Sequence, residues 1–261
     1  MRRFALVIAA AGLVSLTACG TTVTGRAVPA HAGTVTDLSY LVSSRTAAEH
    51  TVHITYDATT SIGELTGSGQ AEFTPGKVAL QLDVTTPVGA VGMVLVGDKL
   101  YLRIPQSLAH TGKPWIGVDP NGTDPTSKAL AAVLSEEQAN ADPSKTLAQI
   151  QAAGTITRTS ADQVDGQPAT HYAISVNTAK LLASSAVTPQ LRQLISGSAA
   201  RLPATIGYDV WINSANLPVR VGFSENVTGV KTTITMTYSQ WGAPVSIQAP
   251  PADQIGALPA H

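Results

Sequence analysis

From Phe4 to Val14 the chain is an unbroken run of apolar and small residues, preceded by Arg2 and Arg3 and followed by Ser15-Leu16-Thr17-Ala18-Cys19-Gly20. A basic start, a short apolar stretch and a small-residue site together make an export signal. The run is too short to cross a bilayer, which takes about 20 apolar residues. Residues 1–18 are therefore expected to be removed. Residues 19–35 follow with no period and few large side chains, the composition of a tether. Thr36 or Asp37 can then cap a helix that carries Leu38, Leu41 and Val42 on one face and Ser43, Ser44 and Arg45 on the other.

Alternation with period two takes over after this helix. Val52, Ile54 and Tyr56 share one face; a second run leads through Gly67 and Gly69 to Phe73; a third aligns Val78, Leu80, Leu82 and Val84. The sharpest signal is the hairpin from Val91 to Ile104 around Gly97-Asp98, a favoured two-residue turn. That turn sets Leu95 opposite Leu100 and Met93 opposite Leu102 on an inner face. Val96 then faces Lys99, and Val94 faces Tyr101, on the other side.

Between Thr126 and Ala153 the period becomes helical. Leu130, Val133 and Leu134 form one stripe; Leu147 and Ile150 form a second after Asp142-Pro143, with Gly154 as its stop. Strands return at Thr155 to Thr159 and Thr170 to Val176, around Asp165-Gly166. Short helical stretches hold Leu181 and Leu182, then Leu191, Leu194 and Ile195. The last third reads as a meander: Ile206 to Asn213, Val219 to Val227 and Lys231 to Gln240.

The inventory is about nine or ten antiparallel strands with amphipathic helices inserted as a block, an α+β chain. One sheet with helices on one side is the simplest assembly, over a single domain at 36–248 with a Pro/Ala-rich tail at 249–261. The inner sheet face (Leu80, Leu82, Met93, Leu95, Leu100, Leu102) and the helix stripes (Leu130, Val133, Leu134, Leu147, Ile150, Leu191, Leu194, Ile195) are expected to meet. A wide sheet must twist, and periodicity alone leaves the space between the layers either packed or open.

Composition narrows the chemistry. Hydrophobic residues make up 44% of the chain and charged residues only 13%, so much apolar surface has to be buried or kept for an apolar ligand. Cleavage after residue 18 removes two of the 16 basic residues and none of the 17 acidic ones, leaving a net charge of −3. No basic field is left for nucleic acid. Cys19 is the sole cysteine, which rules out an internal disulfide. The six histidines (31, 50, 53, 110, 171 and 261) match no catalytic or zinc spacing, and there is no Gly-x-Ser-x-Gly elbow. Asp119 to Asp124 looks like the start of a calcium loop, but Leu130 stands at the twelfth position where a glutamate is needed. Gly67-Ser68-Gly69 sits in a strand pattern, where glycines mark bends. Trp115, Trp211 and Trp241 read as sheet cover rather than a ligand mouth. The expectation is a protein without catalytic residues, metal or cofactor.

Leu16-Thr17-Ala18-Cys19 resembles the bacterial lipobox, whose cysteine receives diacylglycerol before cleavage. Together with the short tether, the opening helix, Gly97-Asp98-Lys99-Leu100-Tyr101, Asp209-Val210-Trp211-Ile212-Asn213 and Tyr238-Ser239-Gln240-Trp241-Gly242-Ala243-Pro244-Val245, it makes the chain resemble the LolA/LolB-like lipoproteins of actinobacteria, the mycobacterial LppX, LprA, LprF and LprG group. The resemblance implies a curved antiparallel half-barrel wrapped around helices and held to the outer face of the cell membrane through Cys19. It also implies an apolar cavity for the acyl chains of a lipid or glycolipid, lined by the two residue sets above, and a membrane lipid exporter as a further partner. The alternative that the residues leave open is a non-enzymatic interaction or sensor lipoprotein with a packed core.

Overall fold

Thr34 opens the first helix through a reciprocal cap. Its Oγ1 accepts from the Asp37 backbone N–H at 3.1 Å and lies 2.9 Å from Asp37 Oδ2. This Thr-x-x-Asp pairing satisfies one of the first-turn N–H groups, so α1 runs Val35–Glu49. The cap thus falls two residues before the expected Thr36, which lies inside the first turn. His50 ends the helix in the left-handed conformation, its N–H returning to the Thr46 carbonyl. A computed structural model describes residues 31–60, 63–74, 77–97, 99–105, 112–118, 143–184, 203–227 and 230–256, and the structural statements below concern these residues.

Twelve strands form one open, curved sheet: β1 (Thr51–Thr60), β2 (Gly63–Thr74), β3 (Lys77–Thr86), β4 (Gly89–Val96), β5 (Lys99–Arg103), β6 (Trp115–Val118), β7 (Gly154–Val164), β8 (Gln167–Asn177), β9 (Thr205–Asn213), β10 (Pro218–Val227), β11 (Val230–Ser239) and β12 (Ile255–Gly256). Their order across the sheet is β12-β6-β5-β4-β3-β2-β1-β11-β10-β9-β8-β7. Two meanders, one walking outward from β1 and one walking inward from β7, are therefore joined at the β1–β11 pair. All pairs are antiparallel except β12 on β6. The α+β class and the single sheet stand as expected. The strand count is higher because β6 and β12 are too short to show a period.

The hairpin register follows its turn. Leu95 pairs with Leu100, Met93 with Leu102, Val94 with Tyr101 and Val96 with Lys99, and Gly97 takes φ +61°, the left-handed value such a turn requires.

Two α-helices besides α1 are described, α2 (Pro143–Ile150) and α3 (Thr178–Ala183). Proline at the first position of α2 costs no hydrogen bond, since that N–H has no helical partner. Gly154 was expected to stop this helix, but α2 already ends at Ile150 and Gly154 begins β7. Glycine is needed there for space: a Cβ would lie 2.9 Å from the Ile150 carbonyl oxygen. α1 and α2 pack on one face of the β8–β9 wing, burying Leu38, Leu41, Val42, Leu147 and Ile150 with Tyr172, Ile174, Val176, Val210 and Ile212. Ala32 belongs to this cluster and donates its N–H to the Tyr172 hydroxyl at 3.2 Å. Ala32, four residues before Thr36, is thus already packed against the sheet.

The far end of the chain departs further from expectation. Residues 242–256 cross the other face of the sheet as a strap instead of trailing as a tail. The Thr51 hydroxyl donates to the Ala243 carbonyl at 2.8 Å, Gln70 Nε2 donates to the Ser246 carbonyl at 2.8 Å, and Lys113 donates to the Asp253 carbonyl. Ile255–Gly256 then pairs with Trp115–Ile116. Prolines and small residues hide this role, because a strap held by its carbonyls needs no hydrophobic alternation.

Candidate functional site

The register of the first six strands stacks apolar side chains in rows along the helix-bearing, inner face. One row runs Val52, Ala71, Leu80, Leu95, Leu100, Val118 across β1 to β6, and every member is at most 4% exposed. The next runs Ile54, Gly69, Leu82, Met93, Leu102, Ile116. Here Leu82, Met93 and Leu102 are only half-buried. A third row, Tyr56, Gly67, Val84 and Val91, continues through the central pair into Met236 and Val221, all half-buried. The inner face is thus graded, closed along one margin and accessible along the other.

Two glycines set its shape. A Cβ at Gly67 would lie 2.5 Å from the Asp83 carbonyl oxygen, and one at Gly69 would lie 2.3 Å from that of Gln81. β3 therefore leans across β2 here, and Leu82 and Val84 lie over the glycine positions, at 3.1 and 3.0 Å from the same Cβ sites. The motif keeps regular pairing on both sides, and its glycines serve this close approach of two strands.

Of the residues assigned to a lipid cavity, Leu80, Leu95 and Leu100 lie in one buried cluster, with Met93 and Leu102 packed against it. Leu82 is their neighbour in the second row. Leu147 and Ile150 belong instead to the cluster around α1. The described part of the helical block therefore packs on the β8–β9 wing, away from the β4–β5 hairpin, and half-buried Val221 touches both clusters. Leu130, Val133, Leu134, Leu191, Leu194, Ile195 and Cys19 lie outside the described residues. Sequence reading missed Tyr56, Val221 and Met236 as members of the same face. Their alternation was visible, but the pairing that unites them runs through β1 and β11, far apart in the chain.

The outer face carries the polar chemistry. His171 is 7% exposed; its Nε2 donates to Asp209 Oδ1 at 2.6 Å, and its ring stacks on Trp211 at 4.3 Å between centroids. Trp211 Nε1 donates to Asp162 at 2.8 Å, and Arg220 lies over the indole at 5.9 Å while pairing with Asp165. Trp115 and Trp211 are therefore outer-face residues. Trp241 closes the inner cluster, edge-on to Phe73, and donates to the Pro218 carbonyl at 2.9 Å. Among the described residues no group of three His, Cys, Asp or Glu could hold a metal ion, and no helix is long and apolar enough to cross a membrane.

Hydrogen bonds from Trp211, and then from the Gln163 backbone N–H, hold the Asp162 carboxyl below its ordinary value of 3.8. A carboxyl with a lowered folded value stabilises the fold above its unfolded pKa and loses that contribution as pH falls through the folded one. Trp211→Phe is expected to raise the Asp162 pKa toward the ordinary value. NMR titration of the side-chain carboxyl measures this; an unchanged pKa would mean that the indole is not the cause.

The architecture is one open, curved, mostly antiparallel sheet with helices on its apolar face. Two solved structures resemble it. The Mycobacterium tuberculosis lipoprotein LppX matches with a TM-score of 0.50 and 14% identity over 82% of this chain and 98% of its own. LprF from Mycobacterium bovis gives a TM-score of 0.49 and 16% identity over 84% of this chain and 99% of its own. At such identities the likeness concerns fold, and the chain has the fold of LppX. No family model matches it. In sequence it is 24% identical over 192 residues to an uncharacterized 31.2 kDa protein of Streptomyces griseus from the rplA-rplJ intergenic region. The match covers 72% of this chain and 63% of that protein, so the chain spans less than two thirds of the relative's length.

Proposed function

We propose that the chain is a lipoprotein of the cell envelope, held on the outer face of a membrane by acyl chains on Cys19, which binds the acyl chains of a lipid or glycolipid against its inner sheet face and carries or presents them. The observation that carries this reading is the graded burial of the inner face. An acyl chain laid along Leu82, Met93, Val84 and Met236 would be removed from water at about 0.8 kcal/mol per methylene, while its polar head stays at the accessible margin. Nothing in such a cycle requires a catalytic residue. Residues 20–30 give the tether a reach of roughly 35–40 Å, enough to keep the face beside the bilayer that supplies its cargo.

Delipidated protein is expected to take up a fluorescent phospholipid saturably. Met93→Glu, which places a charge in the half-buried row, should lower uptake to about a tenth, with the circular dichroism spectrum unchanged. A correctly folded chain that takes up no lipid would overturn the reading. Full burial of the row from Val52 to Val118 favours a second reading, an interaction or sensor lipoprotein with a packed core, and the absence of uptake is the result that reading predicts.

A further inference from the structure

A groove of mixed polar and apolar lining lies on the opposite, outer face of β2 to β5, with a volume of about 360 Å³ and a lining that includes Thr66, Ser68, Asp83, Thr85 and Arg103. Its centre is built around a missing side chain. In the cross-strand row Ser68, Asp83, Gly92, Arg103, the glycine lets its two neighbours close over it, and Arg103 Nη2 meets Asp83 Oδ1 at 2.6 Å. A Cβ at Gly92 would lie 3.0 Å from that same oxygen and 3.2 Å from Arg103 Nε.

Both partners are oriented from behind. Gln81 donates to Asp83 Oδ2 at 3.3 Å and accepts from Gln70 at 3.3 Å, and Gln70 is tied to the strap at Ser246. On the other side the Arg103 guanidinium rests over Trp115 at 5.4 Å. A fixed, bidentate-capable guanidinium beside a fixed carboxylate is a preorganised set of donors and acceptors. Arg103 Nε is buried and has no hydrogen-bond partner among the described residues. Such a group is costly to leave unpaired.

Charge decides what such a groove selects. The carboxylate cancels the guanidinium at contact distance, so neither an anion nor a metal ion gains from the field. What remains is a neutral site with directional donors and acceptors, three hydroxyl side chains and apolar surface that includes Ala90. A ligand carrying many hydroxyls on an apolar ring matches that combination. The volume sits near the lower end of small-ligand sites, the size of a short stretch of sugar. Side-chain exposures of 38% for Arg103 and 42% for Asp83 leave the groove open for a chain of sugars to enter and leave.

We propose that this outer groove binds a neutral saccharide unit, from a free glycan or from the headgroup of a glycolipid, independently of any acyl chain on the inner face. The test titrates the complete mature chain with maltotriose and with mannobiose, reading amide shifts of residues 66–103 and Trp115 fluorescence. Saturable shifts confined to β2 to β5, insensitive to salt, are expected for at least one sugar. Asp83→Asn and Gly92→Val should each weaken binding about tenfold, and the asparagine keeps the shape if the valine fails to fold. A folded chain that binds neither sugar would overturn the proposal. So would inorganic phosphate competing for the same residues, or a response obtained only with an intact glycolipid, since the groove would then not recognise sugar by itself. Loss of lipid uptake with sugar binding retained would strike only the reading of the inner face.

Discussion

Replacing Cys19 by serine, in a chain exported behind a signal whose cleavage does not depend on that cysteine, is expected to move the protein almost completely out of the membrane fraction. A hydroxyl cannot take the thioether-linked diacylglycerol that the Leu16-Thr17-Ala18-Cys19 box implies, and the described domain offers no apolar helix long enough to substitute for it. The magnitude follows from chain count. One myristoyl chain gives only marginal, reversible binding, whereas two chains at about 0.8 kcal/mol per methylene give a stable anchor. Quantitative blotting of membrane and soluble fractions, for wild type and Cys19→Ser expressed at equal levels, measures the shift. Retention of the serine variant in the pellet would show that another part of the molecule holds the membrane.

Gly69→Ala is expected to cost about 3 kcal/mol of stability, near the upper range for overpacking. The added methyl would stand 2.3 Å from the Gln81 carbonyl oxygen and 3.1 Å from Leu82 Cδ1. Leu82 can rotate away. The carbonyl cannot, because it belongs to the backbone of a paired strand, so relief requires β2 and β3 to separate and flattens the sheet where the rows of the inner face begin to open. Urea denaturation should show a lower midpoint at unchanged slope. Gly33→Ala is the matched control: a Cβ there meets nothing within 4 Å, and its effect should stay within about 0.5 kcal/mol. Equal stabilities of the two variants would contradict the close approach.

What the chain's pattern revealed, and what it concealed, has a physical basis. The hairpin at Gly97-Asp98 was legible to the residue because a two-residue turn fixes every pair beyond it. Strands on either side of Asp165-Gly166 were legible for the same reason. The β1–β11 pair was not, since Val52 to Ala58 and Ile234 to Tyr238 each announce a half-buried strand without naming a partner. Hence the pattern carries the inner face only across β3 to β5, whereas it extends through Tyr56, Met236 and Val221. Leu147 and Ile150 were correctly seen as a helical stripe, but a stripe does not say which wing it covers. The strap from Gly242 to Gly256 was invisible because its contacts are made by carbonyls and by a two-residue parallel strand.

The same β1–β11 pair has a consequence for how the chain reaches its final form. Strands β1 to β6 adjoin one another in sequence and can assemble early, yet β1 must then wait for the last long strand of the domain. Until that strand arrives, β1 stands as a bare edge carrying Val52, Ile54 and Tyr56, the kind of edge that recruits other chains. Closing so distant a pair is also slow, because the ordering cost comes before the contacts that offset it. The middle of the finished sheet is therefore its most vulnerable line during biogenesis, and a helper that shields β1 before β11 docks would raise the yield of folded protein more than one acting at either outer edge.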